Sequence, residues 1–137
     1  MALPKQKFRE IVFQILYSMD FTQEMDEAVL DFVMVKLKVG RKSVREASEK
    51  VRLIKEHLEE LDAKITFHSK DYSLDRIARI EKNILRLGFY EILYDQVPGK
   101  VAISEAIRLC KKFAAPENTK FINAVLDAEY QQFHSEK

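Results

Sequence analysis

Apolar residues recur at steps of three and four along most of this 137-residue chain, and this spacing limits the possible folds more than any other feature. It places apolar side chains on one face of an α-helix, whereas a half-buried strand would alternate them. No alternating stretch of useful length occurs in the sequence. With only 3 Gly and 3 Pro, the chain also lacks the turn residues that sheet proteins need. The sequence therefore predicts an all-α protein.

The periodic segments predict about seven helices in a compact single domain of residues 1–137. The segment from Ser73 to Tyr94 is apolar nearly all round from Ile84 onward, which is typical of a central, buried helix. The polar stretch 66–73 predicts a break between two packed sub-bundles. The N-terminal sub-bundle would cover about residues 1–67 and the C-terminal one about 73–134.

A longer pattern runs from Val44 to Ile65, where apolar residues alternate steps of three and four without a break. Ser43 and Glu46 have the spacing of a capping box at its start, and Gly40 is a candidate stop for the preceding helix, predicted for 25–39. The pattern fits a coiled-coil dimer or one long helix in an antiparallel bundle. Its short length and weak Ala and Val positions favour the bundle.

Charge and cysteine content exclude several classes of protein. The 23 basic and 22 acidic residues give a net charge of +1, so no global attraction to a polyanion is expected. The single cysteine, Cys110, fits a reducing compartment. Because the sequence shows neither a signal peptide nor an apolar run long enough to span a bilayer, we expect a cytoplasmic protein with no membrane partner.

No catalytic, metal or cofactor site can be identified from residue spacing. Cys110 falls on an apolar helix face, where it behaves as a small hydrophobic residue. Isolated residues of the types that such sites use are His57, His68, His134, Gly40, Gly88 and Gly99. We therefore predict no enzyme, no bound metal and no cofactor.

The charge distribution indicates a binding site near the N-terminus. Lys5, Lys7 and Arg9 precede the first acid, Glu10, at a helix start, where acids would normally be favoured. Cations and unpaired backbone N–H groups at such an end can bind an anion. Tyr17, on the same polar face as Lys7, adds a ring on which a base of single-stranded nucleic acid can stack, although it could equally cover the edge of the core.

A second basic run lies around Gly40. We interpret it as a solvated loop between helices in preference to a binding site. Its members are Lys36, Lys38, Arg41, Lys42 and Arg45.

Several blocks of sequence, in this order, resemble one known family. They are Ile15 to Ser18, Asn83 to Glu91, Val97 to Ala106, Lys111 to Phe113 and Lys120 to Asp127. Together they resemble the NusB family of bacterial transcription antitermination factors over nearly the whole chain. The resemblance implies binding of single-stranded boxA-type RNA from ribosomal RNA operons together with the ribosomal protein NusE. It also implies a place in an antitermination complex with RNA polymerase.

The resemblance also assigns roles to individual residues. It implies RNA contact for Lys5, Lys7, Arg9, Tyr17, Asn118, Lys120 and Phe121, and contact with NusE for Glu81. Phe121 also has the spacing of a core residue. The basic arm is thinner than in the family, which predicts weak RNA affinity without the partner. The alternative is a homodimeric protein-interaction module with no RNA role of its own.

Overall fold

The computed structural model describes residues 3–22, 26–70 and 73–135, and every regular element within them is a helix. The all-α prediction is therefore confirmed. The α-helices are α1 (Lys5–Thr22), α2 (Glu27–Leu37), α3 (Arg41–Glu56), α4 (Leu58–Ser69), α5 (Arg79–Leu93), α6 (Gly99–Phe113) and α7 (Thr119–Ser135). Short 3₁₀ turns, Leu74–Arg76 and Pro116–Asn118, precede α5 and α7.

Contacts divide the chain into two compact units, Met1–Glu56 and His57–Lys137. The first unit contains α1 to α3 and the second contains α4 to α7. The division falls before the polar stretch 66–73 that was predicted to separate the sub-bundles, so α4 belongs with the later helices. That the two units form a single domain remains a prediction.

In the first unit, α2 and α3 both pack on α1. All α1 side chains from position 10 to 16 are buried, including the polar Glu10 and Gln14. On α3 the buried apolar positions are Val44, Ala47, Val51 and Ile54. Asp26 caps α2, because its carboxylate accepts a hydrogen bond from the backbone N–H of Val29 at 3.0 Å.

Two predicted helix boundaries in this unit are wrong. Helix α2 ends at Leu37 and is capped by Lys38 in the left-handed conformation (φ 55°), so its expected stop at Gly40 is not used. Helix α3 already begins at Arg41, which places Ser43 inside the helix, where it cannot act as a cap. The predicted start of α2 near Met25 lies outside the described residues.

The continuous pattern from Val44 to Ile65 is split between two helices. His57 interrupts it, and its ring stacks on Tyr94 with the ring centroids 4.1 Å apart. Most apolar residues of the pattern are buried in the chain's own units. The pattern is therefore core, and it does not offer a seam for a coiled-coil dimer.

In the second unit, α5 is the central helix. It packs against α4, α6 and α7, and every side chain from Asn83 to Ile92 is buried, as the apolar pattern predicted. Gly99 gives α6 a close approach to α7, because a Cβ there would lie 2.0 Å from the ring of Tyr130. Overpacking of this kind forces neighbouring side chains to move.

A charged residue in α5 depends on a partner in α4. The guanidinium of Arg86 donates through Nε and Nη2 to the two carboxylate oxygens of Asp62, each at 2.8 Å, and through Nη1 to Asn83 Oδ1 at 3.2 Å. The Arg86 side chain is only 7% exposed. Because an unpaired charge at this depth would be strongly disfavoured, this two-point ion pair fixes α4 against α5.

Replacing Asp62 with Ala should lower the free energy of unfolding by about 3 kcal/mol, because it leaves the Arg86 charge buried without its main acceptor. Urea titration followed by circular dichroism measures the change. Glu49→Ala is the control, since it breaks an exposed pair with Arg52 that should contribute less than about 1 kcal/mol. Equal losses in the two variants would contradict a structural role for the Arg86 pair.

Candidate nucleic-acid interface

The three predicted N-terminal cations lie at the start of α1. Lys5 is exposed and Arg9, one turn further on, shares its side of the helix, whereas Lys7 points to another side. The first turn of α1 contains no acidic residue. The charges of Lys5 and Arg9 therefore add to the positive end of the helix dipole, which favours an anion there.

Lys7 lies beside an acidic side chain. It is half-buried, and its Nζ lies 4.0 Å from the buried carboxylate of Glu10. This carboxylate offsets part of the Lys7 charge. Gln14, one turn before Tyr17 and also polar, is only 2% exposed and therefore adds nothing to this surface.

Tyr17 is half-buried in a row of three aromatic rings along α1. Its ring is parallel to that of Phe13, with centroids 5.9 Å apart, and meets Phe21 edge-on at 5.1 Å. Phe21 is 57% exposed. Phe21 was not among the residues predicted to contact RNA, although its four-residue spacing from Tyr17 places the two rings on one side of a helix. Tyr17 thus both covers the core and adjoins an exposed ring.

The second predicted RNA patch forms where the 3₁₀ turn Pro116–Asn118 leads into α7. Asn118 and Phe121 are half-buried and Lys120 is exposed. The turn is held by hydrogen bonds from the Asn118 N–H to the Ala115 carbonyl at 3.0 Å and from Thr119 Oγ1 to the Pro116 carbonyl at 2.8 Å. The structure therefore brings these three residues together at one helix start.

Glu81 lies beneath this turn. It is in the first turn of α5, 8% exposed, and its Oε1 accepts a hydrogen bond from Asn118 Nδ2 at 2.7 Å. Burial raises the pKa of Glu81 above its usual range. The residue assigned to NusE contact thus touches a residue assigned to RNA contact.

Cys110 anchors the same region from α6. The thiol is buried and donates to the Ala115 carbonyl at 3.3 Å. Burial raises the pKa of Cys110, and the charges of Glu81 and Glu117 raise it further. The thiol therefore stays protonated at neutral pH and helps to hold the backbone before the turn.

Two arginines of the second basic run are paired with acidic side chains. Arg41 contacts Glu27 at 3.3 Å and Asp31 at 3.7 Å, and Arg45 contacts Glu27 at 3.7 Å. These pairs link α3 to α2. The arginines lie in a helix and not in a loop as expected, and they do not form a free basic patch.

Histidine and acidic residues provide no metal centre within the described ranges. No group of three or more His, Cys, Asp or Glu side chains there is placed to hold an ion. His68 instead lies 2.9 Å from the buried carboxylate of Glu129, to which its Nε2 donates. No helix among the described residues has the length and apolar character needed to cross a membrane.

Comparison with known proteins identifies the family. The model of the NusB family matches residues 6–131. The chain belongs to the NusB family. It is 38% identical over 121 residues to the transcription antitermination protein NusB of Geobacter sulfurreducens, and the match covers 87% of this chain and 88% of that protein.

Solved structures of the family share the fold. A crystal structure of the antitermination factors NusB and NusE in complex with double-stranded RNA matches with a TM-score of 0.78 and 29% identity, covering 93% of this chain and 96% of that one. A crystal form of T. maritima NusB matches with a TM-score of 0.77 and 30% identity, covering 93% and 91%. The helical fold is therefore that of NusB proteins.

The raised pKa of Glu81 predicts a pH-dependent stability difference between the protein and its Glu81→Gln variant. The folded state binds this proton more tightly than the unfolded state, so the wild type loses stability as the pH rises above the ordinary carboxyl value of 4.5. The Glu81→Gln variant does not lose stability in this way, because glutamine has no carboxyl group to ionise. Between pH 4 and pH 7 its stability relative to the wild type should therefore increase.

Urea titrations at several pH values measure this difference, with Glu49→Gln on the exposed face of α3 as the control. A shift in the opposite direction would show that the hydrogen bond from Asn118 outweighs burial in setting the pKa of Glu81.

Proposed function

We propose that this chain is an RNA-binding transcription antitermination factor that binds single-stranded boxA-type RNA of ribosomal RNA operons together with NusE. The observation that carries the proposal is the family match along residues 6–131. The fold shared with a solved complex of NusB, NusE and double-stranded RNA supports the part of the proposal that concerns RNA and NusE. The proposed activity is binding, and no step of it requires catalysis, a metal or a cofactor.

The start of α1 would supply the electrostatic part of RNA binding. In the proposal, Lys5 and Arg9 contact phosphates, while Lys7 contributes less because Glu10 lies beside it. Tyr17 and the exposed Phe21 offer rings for an unpaired base. Cations beside aromatic side chains are the usual combination for single-stranded nucleic acid.

The start of α7 would supply contacts nearer the bases. Lys120 is exposed and suits a phosphate, and Asn118 can hydrogen-bond to a base edge. Phe121 is half-buried, so only part of its ring can meet RNA. We keep Glu81 as the candidate contact with NusE, made through the part of its carboxylate that Asn118 leaves uncovered.

The proposal places the protein in the cytoplasm, within an antitermination complex that includes RNA polymerase. A homodimer without an RNA role is the alternative. Burial of the Val44 to Ile65 pattern removes the coiled-coil seam as a surface for such a homodimer, which would then have to form through another apolar face. Light scattering over a dilution series distinguishes the two, because the alternative requires a stable dimer that neither RNA nor NusE alters.

Fluorescence anisotropy of a labelled boxA-type RNA tests the function. We expect weak binding by the protein alone and markedly tighter binding with NusE, because two proteins then share the RNA. Affinity should fall as salt increases, since phosphate contacts release counterions. Absence of RNA binding both with and without NusE would overturn the proposed function.

Replacing Lys5, Lys7 and Arg9 together with Ala tests the basic arm. Each lost phosphate contact should reduce the slope of log affinity against log salt by about 0.7, so the triple variant should lose about two units or slightly less. Circular dichroism should show the helical fold intact. The measurement is the same anisotropy titration at several salt concentrations.

A matched control removes three exposed cations elsewhere in the first unit, by changing Lys36, Lys42 and Arg52 to Ala. It should keep the wild-type salt slope. If both triple variants lost the same slope, general charge and not the start of α1 would be responsible.

A further inference from the structure

The hydrogen bond between Asn118 and Glu81 fixes which end of the asparagine amide points inward. Asn118 Nδ2 donates to Glu81 Oε1 at 2.7 Å. An ionised carboxylate has no proton to donate, so only the NH₂ group of the amide can face it. The other end of the amide, the carbonyl oxygen Oδ1, must therefore point away from Glu81.

That carbonyl oxygen has no hydrogen-bond donor among the described residues and is not fully buried. In the part of the chain that the structure describes, Oδ1 accepts no hydrogen bond. No buried side-chain nitrogen or oxygen lacks a partner there either. An acceptor that is unbonded and absent from this buried set keeps some contact with solvent, through which an incoming donor can reach it.

The position of this acceptor is well determined. The Asn118 backbone is held by its bond to Ala115, and the neighbouring Thr119 side chain bonds to Pro116. Glu81 holds the side chain from the first turn of α5, where only 8% of it is exposed. Acceptors that are fixed in this way before binding lose little entropy when a ligand arrives.

We propose that Glu81 is a positioning residue that sets the base preference of this site by presenting Asn118 Oδ1 as a hydrogen-bond acceptor for the exocyclic amino group of an unpaired RNA base. The inference rests on the RNA-binding function proposed above. Amino groups of adenine, cytosine and guanine are donors at base edges that single-stranded RNA leaves open. The buried Glu81 acts through Asn118 and does not itself touch the base.

Glu81→Gln tests the proposal with almost no change in shape. A glutamine can offer Asn118 either an oxygen or an NH₂ group, so both orientations of the Asn118 amide become possible. The site should then lose its preference for an amino group while keeping its fold. Asn118→Ala removes the acceptor and should have the same effect on base preference.

The experiment is a base scan by anisotropy with the same boxA-type RNA and NusE. At each position in turn, the base is replaced by its analogue without the amino group: purine for adenine, inosine for guanine, pyrimidin-2-one for cytosine. In the wild type we expect one position at which this change weakens binding by about 3- to 10-fold. In Glu81→Gln and Asn118→Ala the same change should weaken binding less than about twofold.

Glu105→Gln is the matched control. Glu105 is also 8% exposed and in the second unit, but it bonds to Arg108 at 3.0 Å. It should keep the wild-type base preference, and thermal melting reports any general loss of stability in each variant.

Two results would overturn the inference while leaving the function in place: RNA binding with no amino-sensitive position, or undiminished sensitivity in Glu81→Gln. Failure of the wild type to bind any of the RNAs with NusE would instead overturn the proposed function, and the inference with it.

Discussion

The burial of α5 on all sides is the constraint on which the second unit depends. A helix whose side chains from Asn83 to Ile92 are all buried must find a partner for each polar group it carries. Arg86 donates a hydrogen bond to Asp62 on α4. Glu81, at the start of the helix, accepts one from Asn118, which precedes α7. The polar residues of α5 thus fix the elements around it, and one of these fixed elements is the candidate RNA-binding turn.

Most of the fold could be predicted from periodicity, because each helix buries an apolar face whose spacing is visible in the sequence. The central position of α5 followed directly from its nearly continuous apolar character. The break at His57 could not be predicted. Only one residue, His57, separates the end of α3 from the start of α4 at Leu58, so the steps of three and four continue across the break. Neither Gly nor Pro marks it, and the stacking of His57 on Tyr94 is a contact between distant residues.

The candidate site likewise has features that could be predicted from the sequence and features that could not. The cations at the start of α1 are neighbours in sequence, so their clustering could be predicted, whereas the pairing of Lys7 with the buried Glu10 required the structure. Roles for Asn118, Lys120 and Phe121 came only from family resemblance, and they remain proposals. No sequence pattern indicates the contact between Asn118 and Glu81, because the two residues are 37 positions apart and meet only when α5 and α7 pack.

The chemistry of Glu81 indicates that its contact with Asn118 serves function more than stability. Burial raises its pKa, so its surroundings disfavour the ionised form of the carboxyl group. A glutamine would occupy the same space without this penalty. What a glutamine cannot do is dictate which end of the Asn118 amide faces outward, because only a group that accepts and never donates imposes one orientation. Glu81 thus lowers the stability of the fold locally while it fixes the orientation of the Asn118 acceptor. Such a loss of stability is expected at a site that binds a ligand.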